Sequence, residues 1–100
     1  MSGHRHLFYR QFSVMQPLRA IVIFRRTKKN ISVDLDIPLS ISAQELVTAL
    51  NEAYHLGIDL SDPKECWLTA EDPIALLRGG TALQEFGVRN GTTILFTRDR

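Results

Sequence analysis

Four groups of residues in this 100-residue chain have types and spacing that chemistry could use. Gly79-Gly80 is a glycine pair near the end of a small chain, the arrangement of a modifier attached covalently to other proteins. Cys66 and His55 offer a thiol and an imidazole, the parts of an activated nucleophile. His4 and His6 could bind a metal weakly as a pair, and Asp34 with Asp36 supplies two nearby acids. Each group also has a plainer reading. Two imidazoles on a terminus do not make a site. A single thiol beside Trp67 in a strand is more often an inert core residue. Asp34 and Asp36 alternate with apolar residues and read as solvated charge. "RGGTAL", residues 78–83, lacks the lysine and spacing that cradle phosphate. With no nucleophile, base and orienter in view, the chain reads as non-enzymatic. No catalytic residue, metal or cofactor is expected.

The elements that must position these residues follow from composition and pattern. At 44% hydrophobic and 23% charged the chain is globular, without repeats or low-complexity tracts. Its longest apolar run is Ala20 to Phe24, far short of the roughly 20 residues a membrane-spanning helix needs. The first twenty residues lack an apolar signal core. As the only cysteine, Cys66 can form no internal disulfide and no cysteine cluster for zinc, which fits a reducing compartment. The net charge of +1 hides a polarity. Residues 1–33 hold seven Lys/Arg and no acid, whereas residues 34–100 hold five basic and eleven acidic side chains. That basic end could meet an acidic partner, nucleic acid or an anionic membrane, or could simply be solvated.

Residues 1–17 mix basic and aromatic side chains without a clean period, end at Pro17, and read as an arm. Residues 19–25 form an apolar, β-branched strand. After a polar tip, Ile31 to Ile37 alternates strictly, with Ile31, Val33, Leu35 and Ile37 on one side; the two runs make a hairpin. Ser42 and Glu45 form a capping box, and Ile41 and Leu46 a hydrophobic staple, at the start of a helix. Leu46, Val47, Leu50, Ala53 and Tyr54 share its apolar face, and Gly57 suits its left-handed end. Cys66 to Ala70 and Ile74 to Arg78 read as two short strands around a turn at Glu71-Asp72-Pro73. Thr92 to Thr97 is a last strand entered through Asn90-Gly91. The order β-β-α-β-β-β is α+β, with one helix to cover one sheet face.

From Leu18 to Thr97 this order resembles the β-grasp fold of ubiquitin. The most specific part is Leu83-x-x-Phe86-x-Val88, then Asn90-Gly91 and the Ile94-x-Phe96 strand. Trp67 and Gly87-Val88-Arg89-Asn90-Gly91 are most similar to the bacterial YukD/EsaB proteins. The resemblance implies a ubiquitin-like domain over 18–98, a mixed sheet of four to five strands packed on one helix. It further implies a non-conjugated component associated with type VII (ESX-like) secretion, cytoplasmic or held at the inner face of the membrane by a partner. Conjugable modifiers carry Gly-Gly at a free C-terminus, but here a strand with several core side chains follows the pair. The glycines are therefore expected to be a bend.

The positive evidence in the residues is for binding. Every position from Ala20 to Phe24 is apolar, so one pair, either Ile21 and Ile23 or Val22 and Phe24, must lie away from the helix. The alternation of the second strand favours Ile21 and Ile23 inward. Val22 and Phe24 would then join Leu95 on an outer face rimmed by Arg19, Arg25 and Arg26, with Lys28 and Lys29 at the basic hairpin tip, a surface suited to a protein partner such as a secretion-machine subunit. That face either stays open or is covered by Leu7 to Val14. Nucleic acid is the weaker partner expectation, although a small basic-ended nucleic-acid-binding domain is the second reading. Two others are a transit segment over 1–18 and a ubiquitin-like domain cut from a larger membrane-associated secretion subunit.

Overall fold

A computed structural model describes residues 18–100 of the chain. The expected arm at 1–17, its histidine pair and its covering role lie outside the described residues. Five strands and one helix follow the expected order: β1 (Arg19–Arg26), β2 (Ile31–Pro38), α1 (Ala43–Tyr54), β3 (Trp67–Glu71), β4 (Ala75–Arg78) and β5 (Thr93–Phe96). They form one mixed sheet in the order β2-β1-β5-β3-β4. β1 and β5 run parallel at its centre, and the other neighbours are antiparallel. α1 covers one face.

The phase of β1 is the reverse of the sequence expectation. Val22 and Phe24 are buried to 0% and 1% exposure, while Ile21 is 48% exposed and Ile23 half-buried. The hairpin tip explains why. Residues 27–30, a single 3-10 turn closed by Asn30 in the left-handed region, join Arg26 directly to Ile31. This pairs odd-numbered residues of β2 with even-numbered residues of β1: Val33 with Phe24, Leu35 with Val22, Ile37 with Ala20. Residues opposite one another in a ladder share a face. The alternation of β2 holds, but the tip length inverts what it implies for β1.

The start of α1 follows the capping box. The Ser42 hydroxyl accepts from the Glu45 N–H at 3.0 Å, and a Glu45 carboxylate oxygen accepts from the Ser42 N–H at 3.4 Å. A helix leaves its first N–H groups without internal partners, and two remain here. Gln44 N–H donates to the Gly79 carbonyl and Ala43 N–H to the Thr81 carbonyl, both at 3.0 Å. The loop holding the glycine pair thus completes the helix cap. Gly79, at φ +77°, makes the turn that aims its carbonyl there.

On α1, Ala43, Leu46, Val47 and Leu50 are buried, but Ala53 is exposed. The helix also stops earlier than expected. His55, not Gly57, is the left-handed cap, while Gly57 turns the chain two residues later. The Asn51 side chain holds that turn by accepting from Ile58 N–H and donating to the Ile58 carbonyl. Leu68, Leu77, Leu83, Val88, Ile94 and Phe96 complete the core. The Asn90-Gly91 turn is fastened to β1: Ile21 N–H donates to the Asn90 side chain at 2.8 Å, and Gly91 N–H to the Ile21 carbonyl at 2.9 Å.

Phe24→Ala is expected to cost about 3–5 kcal/mol through a core cavity, and Ile21→Ala less than about 1 kcal/mol; urea midpoints of the two variants check the strand phase. Gly79→Ala should cost about 1–2 kcal/mol, because nothing lies within 4 Å of an added Cβ and only backbone strain opposes it. Gly80, which is not at positive φ, should tolerate alanine with a smaller change in the same measurement.

Candidate interaction surface

The face of the sheet away from α1 is built from the odd residues of β1, β3 and β5 and the even residues of β2 and β4. Register places Ser32, Arg25, Leu95, Thr69 and Leu76 in one row across all five strands. A second row runs Asp34, Ile23, Thr93 and Glu71. Ile21 and Leu76 are each 48% exposed, and Ile74, just before β4, is 91% exposed. Leu95 and Ile23 are half-buried between them. Apolar groups spread along the sheet and bordered by Arg25, Asp34 and Glu71 give a face that is partly apolar and mixed in charge.

Of the residues expected on a partner surface, the structure leaves Arg25, Lys28 and Lys29 exposed and places Leu95 on the outer face. Val22 and Phe24 are core residues and do not belong to it. Arg26 does not rim the surface either. It lies on the inward side of β1, 8% exposed, and its guanidinium donates from Nε and Nη2 to the two Asp99 carboxylate oxygens at 3.1 and 2.6 Å. Its Nη1 donates to the Tyr54 carbonyl in the last turn of α1 at 3.1 Å. Fork-to-fork pairing of this kind is the strong form of an ion pair. It ties the end of β1, the end of α1 and the segment after β5 together. The hydrogen bonds from Arg26 hold the Asp99 carboxyl below the usual carboxylate range, with burial opposing and Lys29 and Lys28 assisting.

Sequence reasoning missed this pair because it had the wrong phase for β1. An arginine on the inward side of a strand demands a buried acid, since an unpaired buried charge is very costly. It also missed Arg98, whose guanidinium stacks 3.9 Å from the Trp67 ring and donates to the Glu65 and Trp67 carbonyls.

Cys66 and His55 are not brought together. Cys66 is buried against the Asp59, Leu60 and Asp62 carbonyls, and His55 lies beyond the end of α1 in a different cleft. Asp34 and Asp36 are exposed, and Asp36 pairs with Arg19 at 3.0 Å. Among the described residues no group of three or more His, Cys, Asp or Glu could hold a metal ion, and no helix is long and apolar enough to cross a membrane.

The fold is that of a ubiquitin-like domain. Solved structures that share it include the C-terminal ubiquitin-like domain of mouse tubulin-specific chaperone e, at TM-score 0.61 and 16% identity over 80% of this chain and 86% of that one. Another is the ubiquitin-like domain of Plasmodium falciparum Dsk2, at TM-score 0.52 and 18% identity over 78% and 97%. A designed protein based on ubiquitin matches at TM-score 0.55 and 21% identity over 85% and 95%. These identities show the fold alone. Comparison with curated protein sequences finds no match. The family model described as "WXG100 protein secretion system (Wss), protein YukD" matches residues 20–95, and the chain belongs to that family.

The Arg26–Asp99 pair gives a pH signature. Because the folded pKa of Asp99 is depressed, its stabilisation is complete above the unfolded value, about 3.9, and is lost as pH falls through the folded value. Asp99→Asn should therefore destabilise the protein at pH 7 by about 3 kcal/mol, leaving Arg26 buried without a counter-charge. It should also flatten the loss of stability below about pH 4. Urea denaturation from pH 2 to 7 checks both.

Proposed function

We propose that this chain is a non-catalytic, non-conjugated ubiquitin-like module that docks protein subunits of a type VII (ESX-like) secretion machine. In this reading it works in the cytoplasm, at the inner face of the membrane, held there by its partner. The match of residues 20–95 to the YukD family carries the proposal, and the sheet face away from α1 supplies a surface for it. The contacts assigned to the partner are Ile21, Ile23, Leu76 and Leu95, with Arg25, Lys28 and Lys29 steering encounter. Half-exposed apolar side chains supply affinity when a partner covers them, while rim charges act mainly on association rate.

The pair Gly79-Gly80 supports a binding role over a covalent one. Its loop accepts the first N–H groups of α1, and the chain after it contributes Leu83, Val88, Ile94 and Phe96 to the core. Cleavage there would remove several large buried side chains at about 2–5 kcal/mol each, more than a small domain's stability.

Replacing Ile21 and Leu76 together by glutamate should leave the melting temperature within a few degrees of the parent protein and abolish docking. In secreting cells, a photocrosslinker at position 21 or 76 should yield an adduct with a subunit of the secretion machine. The Ile21→Glu/Leu76→Glu variant should lose export of WXG100 substrates. Normal export by that variant, with no such adduct, would refute the reading.

A further inference from the structure

A second surface lies apart from the sheet face. The hairpin tip, the end of α1 and the segment after β5 enclose a cleft of about 580 Å³. Lys29, Arg98, Arg100 and His55 line it, with Glu65 and Asp99 as its carboxylates and Leu56 and Phe96 as apolar lining. Its charges do not cancel. Asp99 is held in the forked pair with Arg26 and lies only 4.0 Å from Lys29. That leaves Glu65 against Lys29, Arg98 and Arg100.

One polar atom beneath the wall is incomplete. Both Nη groups of Arg98 have carbonyl acceptors, but its Nε–H is buried and has no hydrogen-bond partner among the described residues. A buried donor left unsatisfied costs about 1–3 kcal/mol, and a carboxylate is the strongest acceptor for a guanidinium. The Nε is covered, so an incoming carboxylate reaches it only as the Arg98 side chain shifts against Trp67.

We propose that this cleft is a docking site for a carboxylate-bearing peptide segment of a protein partner, in which acidic side chains pair with the exposed cations Lys29 and Arg100 and reach Arg98 as its side chain shifts. The mixed lining selects a peptide. Cations interrupted by Glu65 suit the spaced single charges of a peptide rather than the continuous phosphates of a nucleic acid. The cleft is independent of the sheet face, so it stands or falls separately from the secretion reading.

Trp67 is the only tryptophan of the chain, and Arg98 stacks on it, so its fluorescence reports the event. The full chain is titrated with the tryptophan-free peptide acetyl-Asp-Leu-Glu-Glu-Leu-Glu at low and at physiological salt. Saturable binding that changes Trp67 emission and weakens with salt is expected. Lys29→Gln/Arg100→Gln should weaken it at least about tenfold, and Lys29→Glu/Arg100→Glu should do so further. Ile21→Glu/Leu76→Glu should leave it unchanged. The proposal is overturned if the peptide does not bind, if its Asn/Gln counterpart binds as well, or if a thymidine oligonucleotide binds more tightly. Undiminished affinity in Lys29→Gln/Arg100→Gln also overturns it, because that result would move the binding to other basic residues, those before residue 18 included.

Discussion

The length of one hairpin tip governs most of what this molecule presents to its surroundings. Residues 27–30 join Arg26 to Ile31 and thereby lock the parity between β1 and β2. Since β1 lies inside the sheet, between β2 and β5, its parity propagates through the parallel ladder to Ile94 and Phe96. Even residues of β1 become core and odd residues become surface. The same parity carries Arg26 inward, and a buried guanidinium needs acceptors, of which a carboxylate is the strongest. Asp99 meets that requirement. The segment after β5 is thereby fastened to the end of β1, Arg26 joins both to the end of α1, and the walls of the cleft at that end come from the elements this pairing gathers. Sheet face, buried ion pair and cleft are consequences of one loop length.

The glycine pair illustrates how chemistry read from residue types yields to backbone accounting. Two adjacent glycines suggest a flexible, reactive tail. What the fold needs at that place is a turn whose carbonyls point at the start of α1, where four N–H groups require acceptors. Ser42 and Glu45 satisfy two of them, and Gly79 and Thr81 the other two. A side chain at Gly79 would meet no neighbour, so its identity reflects the positive φ of the turn alone. Gly79 is bound into the fold through its carbonyl, as is Thr81 just beyond Gly80, which excludes the freedom a conjugation tail requires.

Elements whose signals are local were legible in the sequence. The capping box, the alternation of β2, the Asn90-Gly91 turn and the Leu83-x-x-Phe86-x-Val88 spacing each depend on residues close in the chain, and the order of elements followed from them. The phase of β1 was not local. A strand apolar at every position carries no alternation of its own, so its inward side is set by the tip that pairs it with β2. Once that phase was inverted, Val22 and Phe24 were misplaced on the surface, and Arg26 passed for a rim charge. Asp99, 73 residues from Arg26, had nothing nearby to mark it as buried. The helix end departs from its local signal for a related reason: Asn51, already inside the helix, fixes the turn at Ile58 and lets His55 take the left-handed position ahead of Gly57.

The two candidate surfaces differ in physical character, and the difference follows from how each is built. The sheet face is a regular ladder surface whose exposed apolar groups sit at fixed strand spacing and whose charges are of both signs. Docking there should respond weakly to salt, since burial of Ile21 and Leu76 is insensitive to screening. The cleft has a surplus of cations beside a buried pair that stays intact at neutral pH, so attraction toward acidic groups is built in before any partner arrives. A partner that engages both would be recruited by charge at one end of the molecule and retained by apolar contact across the sheet. That division of labour needs no catalytic residue, and none of the chemistry suggested by Cys66, His55 or the aspartate pair is required for it.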